Sequence, residues 1–162
     1  KTMERRLDSI HAVNYSLLMD LLGYSQSKLF QLEKNFDELI FSDQLLAKSE
    51  LKKYVQVTDE EIDRAKERVQ ESFAQLTLDD VSVVTIKSAL YPPLLKKIKR
   101  APLVLFLRGI GDLMQLPCVS VVGSRAATQE GKLRAQKVAI ALTENNYGIV
   151  SGLAKGIDTA AH

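Results

Sequence analysis

From Met3 to Leu22 the apolar residues Leu7, Ile10, Leu17, Leu18, Leu21 and Leu22 recur close to helical spacing, with polar residues between them. Gly23 stands where a helix would end on a C′ residue. Ser25 is placed to cap a second helix running through Lys34, with Leu29, Phe30 and Leu32 turned inward. Phe36, Leu39, Ile40 and Phe41 predict a short third turn, and Ser42 is a candidate cap for another around Leu45 and Leu46. Thr58-Asp59-Glu60-Glu61 has the form of a capping box, and Ile62, Ala65, Val69, Phe73 and Leu76 follow on one face. Residues 1–80 therefore read as a small helical domain.

Beyond Asp79-Asp80 the pattern changes. Val81 to Ile86 is a β-branched run and predicts a strand. Tyr91-Pro92-Pro93 excludes helix interior, because proline lacks an N–H and restricts the residue before it. A brief basic turn follows, with Lys96, Lys97, Lys99 and Arg100, and then a second strand from Leu103 to Leu107. Asp112 to Leu116 is a short turn before a third strand, Cys118 to Val122, which is expected to be buried. Thr128 caps a helix whose buried stripe is Ala135, Val138, Ala139 and Leu142, with Lys132, Arg134 and Lys137 off it. Asn145-Asn146 stops that helix, and Ile149 and Val150 belong to a fourth strand. The order from Cys118 onward is strand, turn, helix, strand, turn: a βαβ unit.

Charge divides the chain in the same place. Residues 1–80 carry 11 Lys+Arg against 16 Asp+Glu, a net of −5. Residues 81–162 carry 11 Lys+Arg against only Asp112, Glu130, Glu144 and Asp158, a net of +7. Two domains are expected at 1–80 and 81–162, the second facing an anionic partner. Hydrophobic content of 46% and charged content of 26% suit a folded globular chain. No apolar run approaches the roughly 20 residues of a membrane span. The lone Cys118 allows neither an intrachain disulfide nor a cysteine metal cluster, and a reducing, cytoplasmic setting follows as the expectation.

The candidate chemistry sits in two turns, each at the end of a strand: Gly123-Ser124-Arg125 and Ser151-Gly152-Leu153-Ala154-Lys155-Gly156-Ile157-Asp158. Strand ends beside helix N-termini offer free amides to anions, phosphate above all. A dinucleotide fingerprint would read G-x-G-x-x-G. Here its second glycine is replaced by Arg125, and there is no Walker lysine pattern. What remains is backbone, a hydroxyl (Ser124) and a fork of donors (Arg125), suited to an exposed phosphate mono- or diester. Ser151, Gly152 and Lys155 repeat that chemistry one strand over, and Gly156 opens the next helix. The same residues also serve tight turns, caps and surface charge. His11 lies near the apolar face of the first helix and reads as structural. The two helices about Leu22-Gly23-Tyr24-Ser25 resemble a helix-hairpin-helix, but one glycine stands where such a hairpin offers two, and the acidic surface of residues 1–80 also argues against a grip on nucleic acid. An interaction or packing role for this domain is the other reading.

Taken together, Tyr91-Pro92, Leu94-Leu95, Ile98, Pro102, Leu105-Phe106 and Gly109, then Val122-Gly123-Ser124-Arg125, then Ser151-Gly152-Leu153-Ala154-Lys155-Gly156-Ile157-Asp158 and His162, resemble the DNA-processing protein DprA (Smf) family. Order and spacing are kept over roughly residues 81–162. Residues 1–76 are similar to that family's helical, SAM-like N-terminal domain in size and pattern. The resemblance implies an α/β fold: an extended Rossmann-like parallel sheet, incomplete here because the family's sheet continues past the position of His162, preceded by a small all-α domain. It implies a non-catalytic, cytoplasmic homodimer that binds single-stranded DNA without sequence preference and loads the recombinase RecA during natural transformation, with no cofactor and no membrane. Carried over by position, Arg125 and Lys155 would contact DNA phosphates. Gly123, Ser124, Ser151, Gly152 and Gly156 would shape the pocket, and Asp158 and Lys132 would support it. Asp158 is expected to stabilise a helix N-terminus or orient Lys155. The alternative is a nucleotide phosphoribohydrolase on a related Rossmann-like fold, which needs a catalytic carboxylate beside the turns; Glu130 and Asp158 are the only acids near.

Overall fold

A computed structural model describes residues 2–32, 35–109 and 111–162, and they group into two compact units, 1–109 and 110–162. In the first unit five helices, α1 (Thr2–Leu21), α2 (Gln26–Gln31), α3 (Asn35–Ile40), α4 (Lys48–Tyr54) and α5 (Asp59–Leu78), enclose a core of Leu17, Leu18, Leu29, Ile40, Leu51 and Ile62. The expected punctuation is present. Gly23 takes φ +63°, and the Tyr24 amide donates back to the Met19 carbonyl at 2.7 Å, closing α1. Ser25 Oγ accepts from the Lys28 amide. Thr58 and Glu61 exchange both bonds of a capping box at the start of α5.

Three local expectations change. The second helix ends at Gln31, with Leu32 as its C-cap, while Lys34 lies outside the described residues. On α2 Leu29 is fully buried but Phe30 is 44% exposed, edge-on to Phe36. No helix forms around Leu45 and Leu46, and α4 begins only at Lys48. The reason is Asn14, a fully buried polar residue of α1. Its Nδ2 donates to the Gln44 carbonyl at 2.9 Å and its Oδ1 accepts from the Leu46 amide at 3.0 Å, so these backbone groups are withdrawn from helical pairing. Ser42 accepts from the Gln44 amide in a local turn instead of capping a helix.

Two strands, β1 (Val81–Thr85) and β2 (Val104–Arg108), belong to this first unit. They pair antiparallel, from Val81 opposite Arg108 to Thr85 opposite Val104, rather than joining a parallel sheet. Thr85 is fully buried, and its amide and hydroxyl both donate to Asp8 Oδ1 of α1, at 3.0 and 2.7 Å. Phe73 of α5 meets Phe106 of β2 edge-on. The strand pair is thus stitched to the helices, and the compact unit extends past residue 80 to Gly109. β2 is also more open than a buried strand, with Phe106 47% exposed.

The second unit is the expected βαβ arrangement: β3 (Cys118–Ser120), α6 (Gln129–Glu144), β4 (Gly148–Val150) and the short α7 (Ile157–Ala161). β3 and β4 are parallel, with Cys118 opposite Gly148 and Ser120 opposite Val150. Thr128 Oγ1 accepts from the Gly131 amide to cap α6, and Asn145 ends it, with Asn146 at φ +62°. Ala135 and Ala139 are the buried stripe of α6, whereas Val138 is half exposed. Two small residues suffice against so narrow a sheet. Cys118 is exposed, not buried, because its cross-strand partner Gly148 has no side chain to cover it. No helix among the described residues is long and apolar enough to cross a membrane.

Candidate functional site

The parallel ladder of β3 and β4 ends where the two turns begin. The Val121 amide donates to the Val150 carbonyl at 3.0 Å, the last backbone bond of the pair. Beyond it the chains diverge, and side chains take over. Ser151 Oγ donates to the Val121 carbonyl at 2.6 Å. The amide of Gly152 instead donates to Asp158 Oδ2 at 3.1 Å, and that of Gly123 to Asp158 Oδ1 at 3.3 Å. Asp158 is buried, and each of its oxygens holds one turn.

The turns also interlock by shape. Ile157 lies against the Gly123 α-carbon so closely that a Cβ there would come within 2.7 Å of its Cγ1, and the Ile157 amide donates to the Ser124 carbonyl at 3.2 Å. Gly156, at φ +92°, has no space for a Cβ beside the Ser124 and Arg125 carbonyls. Leu153 is held at φ +52°, in a region a bulky side chain rarely adopts, and is 65% exposed at the tip of its turn. Thr159 Oγ1 donates to the Ala154 carbonyl at 2.6 Å, closing the other end.

This arrangement redistributes the roles expected from sequence. For two of the turn amides, those of Gly123 and Gly152, the anion is supplied by the chain itself, as the Asp158 carboxylate. Gly123 and Gly152 therefore frame the site and do not offer those amides to an outside phosphate. The Ser151 proton is likewise committed to Val121. Asp158 makes no bond to Lys155 among the described residues; it ties two loops rather than orienting a cation. Ser124 Oγ accepts from the Ala126 amide at 3.1 Å, which leaves its own proton free to donate. Arg125 and Lys155 are exposed and form no ion pair among the described residues. Lys132 is half-buried in the first turn of α6, next to Gly131, which itself packs toward Ile157. Among the turn side chains, the Arg125 guanidinium, the Lys155 ammonium and the Ser124 hydroxyl are placed to meet an anion.

Sequence reasoning missed Ile157, the apolar wedge of the site. Its signal was indirect: glycines at 123, 131 and 156, whose lack of side chains lets the turns close on one another. It also missed Asn14 and Asp8, which organise the first unit. The described residues contain no cluster of His, Cys, Asp or Glu able to hold a metal ion.

Residues 82–162, half of the chain, match the family model of the DNA recombination-mediator protein A. Over 72 residues, 44% of this chain, the sequence is 54% identical to the DNA processing protein DprA of Streptococcus pneumoniae, and that stretch is 25% of the relative's length. It is 42% identical over 76 residues to the protein Smf of Synechocystis, covering 44% of this chain and 19% of the relative. The X-ray structure of DNA processing protein A from Streptococcus pneumoniae superposes with a TM-score of 0.60 at 31% identity, over 91% of this chain and 50% of that one. The chain thus spans only part of the relatives it matches. The shared helical and Rossmann-like α/β architecture, together with the match over the segment that holds both turns, places this chain in the DprA/Smf family.

Proposed function

We propose that this chain binds single-stranded DNA without reading its sequence, through phosphate contacts at the paired turns, and that residues 81–162 are the first part of the domain that does so. The observation that carries the proposal is the pair of exposed cations, Arg125 and Lys155, which form no ion pair among the described residues and stand on two turns locked together through Asp158. Asp158 fixes the backbone that carries the two charges, so binding a phosphate has to order only the side chains and not the turns. Arg125 presents a planar fork, Lys155 a point charge, and Ser124 one hydroxyl proton; each suits a phosphodiester oxygen, and none reads a base. The net charge of +7 over residues 81–162 adds long-range attraction for a polyanion.

In this reading the whole protein hands the strand to the recombinase RecA during natural transformation, acts in the cytoplasm as a homodimer, and catalyses no reaction. Membership of a family of DNA recombination mediators supports that role. The hydrolase alternative loses support at its carboxylates. Both oxygens of Asp158 are occupied by backbone amides, and Glu130 is exposed and paired with Arg134 one helical turn on.

The test is a titration of a fluorescent oligothymidylate at several salt concentrations. Log affinity should fall linearly with log salt, with a slope of about −0.7 per phosphate contacted. Arg125→Ala with Lys155→Ala should weaken binding and shrink the slope by about 1.4. Affinity indifferent to salt, or unchanged in that double variant, overturns the proposal.

A further inference from the structure

The basic turn at 96–100 is not absorbed by the site above. It lies in the first unit, and its Lys99 and Arg100 help to line a separate cavity of about 730 Å³, within the size range of ligand pockets. Tyr15, Gln26 and Phe30 of α1 and α2 line it as well. The two groups of lining residues differ in chemistry. Lys96, Lys97, Lys99 and Arg100 are all exposed, no acidic residue occurs between Val81 and Gly111, and none of the four cations forms an ion pair among the described residues. The residues from α1 and α2 are aromatic and polar. Phe30 is 44% exposed, Tyr15 is half-buried, and Gln26 Nε2 donates to Tyr15 Oη at 3.2 Å, so that the Tyr15 proton can turn to an acceptor. The buried Tyr91 donates to the carbonyl of Pro102, which also lines the cavity, at 2.7 Å.

One exposed and one half-buried ring in the same cavity as two cations that form no ion pair among the described residues, with neutral hydrogen-bonding groups beside them, suit a single nucleic-acid strand: rings for the bases, charge for the phosphates. An acidic peptide would use the cations but not the rings. We infer that this groove is a second contact for single-stranded nucleic acid, with Lys99 and Arg100 on phosphates and Tyr15 and Phe30 against bases. It rests on the reading of the chain as a single-strand binder and adds a base-contacting surface that the paired turns lack.

The experiment uses the full chain with a photoreactive oligothymidylate and an abasic oligomer of equal phosphate count. Lys99→Ala with Arg100→Ala should reduce the salt slope by about 1.4, and the abasic oligomer should bind at least about fivefold more weakly than oligothymidylate. Photocrosslinks should map to Tyr15 or Phe30, and they should persist when Arg125 and Lys155 are both alanine. That persistence separates the two sites. Crosslinks confined to residues 121–159 with an unaltered slope in Lys99→Ala/Arg100→Ala overturn the groove and leave the turns standing. Crosslinks in the groove with binding insensitive to Arg125 and Lys155 overturn the turns and leave the groove. Equal binding of oligothymidylate, abasic oligomer and polyglutamate also overturns it, in favour of an acidic peptide. Should Phe30→Ala unfold the protein, Phe30→Leu keeps apolar volume while removing the ring and should still lower the preference for bases.

Discussion

Gly156 rests directly on the carbonyl oxygen of Ser124, across the space between the two turns, in a left-handed conformation at φ +92°. Neither feature tolerates a side chain. Gly156→Ala should destabilise the second unit by about 1–3 kcal/mol from backbone strain alone, with a further loss from overlap. Gly109→Ala is the control, since Gly109 has φ +107° but open space around it. Chemical denaturation followed by circular dichroism should rank Gly156→Ala well below Gly109→Ala; equal effects would mean that the turns do not press on each other.

Asp158 holds the amides of Gly123 and Gly152 from a buried position. Asp158→Ala strands both amides, at about 1.5–3 kcal/mol for each charge-assisted bond lost. Asp158→Asn keeps one acceptor oxygen and should fall between. Hydrogen exchange at Gly123 and Gly152 should speed up in the order wild type, Asn, Ala. Exchange at these two amides that ignores the substitution would remove Asp158 from its role.

Asn14 is the polar group at the centre of the helical unit. Asn14→Leu leaves the Leu46 amide and the Gln44 carbonyl without their partner, at about 1–3 kcal/mol for each buried group left unpaired. The segment 43–47 should then become sensitive to proteolysis before the rest of the unit.

Burial lowers the pKa of His11 below its ordinary 6.5, against an opposing pull from Asp8 and in concert with Lys87. Burial is the largest influence and outweighs the pull of Asp8 and Ser42, so the folded chain favours the neutral ring. The unfolded chain therefore binds the proton more readily. Stability from this residue is fully present above pH 6.5 and declines as pH falls from there through the folded pKa. His11→Phe should flatten that part of the stability–pH curve, measured by denaturation at pH 7.5 and 5.5.

Thr58 and Glu61 close the N-terminus of α5 reciprocally. Thr58→Ala should lower stability by about 1 kcal/mol, and Thr58→Ser should restore most of it. Urea midpoints at constant slope check both.

Local chemistry was legible wherever a residue's own backbone neighbourhood decides its role. The caps at Ser25, Thr58 and Thr128 follow from side chains that bond three residues on, the stop at Gly23 from a left-handed backbone that glycine adopts freely, and the βαβ order around α6 from the local apolar pattern. The two turns were likewise visible as glycines, hydroxyls and cations at strand ends, and together with the upstream Tyr91-Pro92 segment they carried the resemblance to the family. Partnerships between distant residues were not legible. Asn14 decides that 43–47 is not helical from some 30 positions away, and Asp8 draws β1 onto the helices through Thr85, 77 residues on. The same holds at the site. The sequence alone determined that Arg125 and Lys155 lie in glycine-bearing turns after strands; only the tertiary structure decided that Asp158 takes the amides of Gly123 and Gly152. That choice depends on a carboxylate brought within hydrogen-bond reach of Gly123, 35 residues away. No local pattern encodes such a distance.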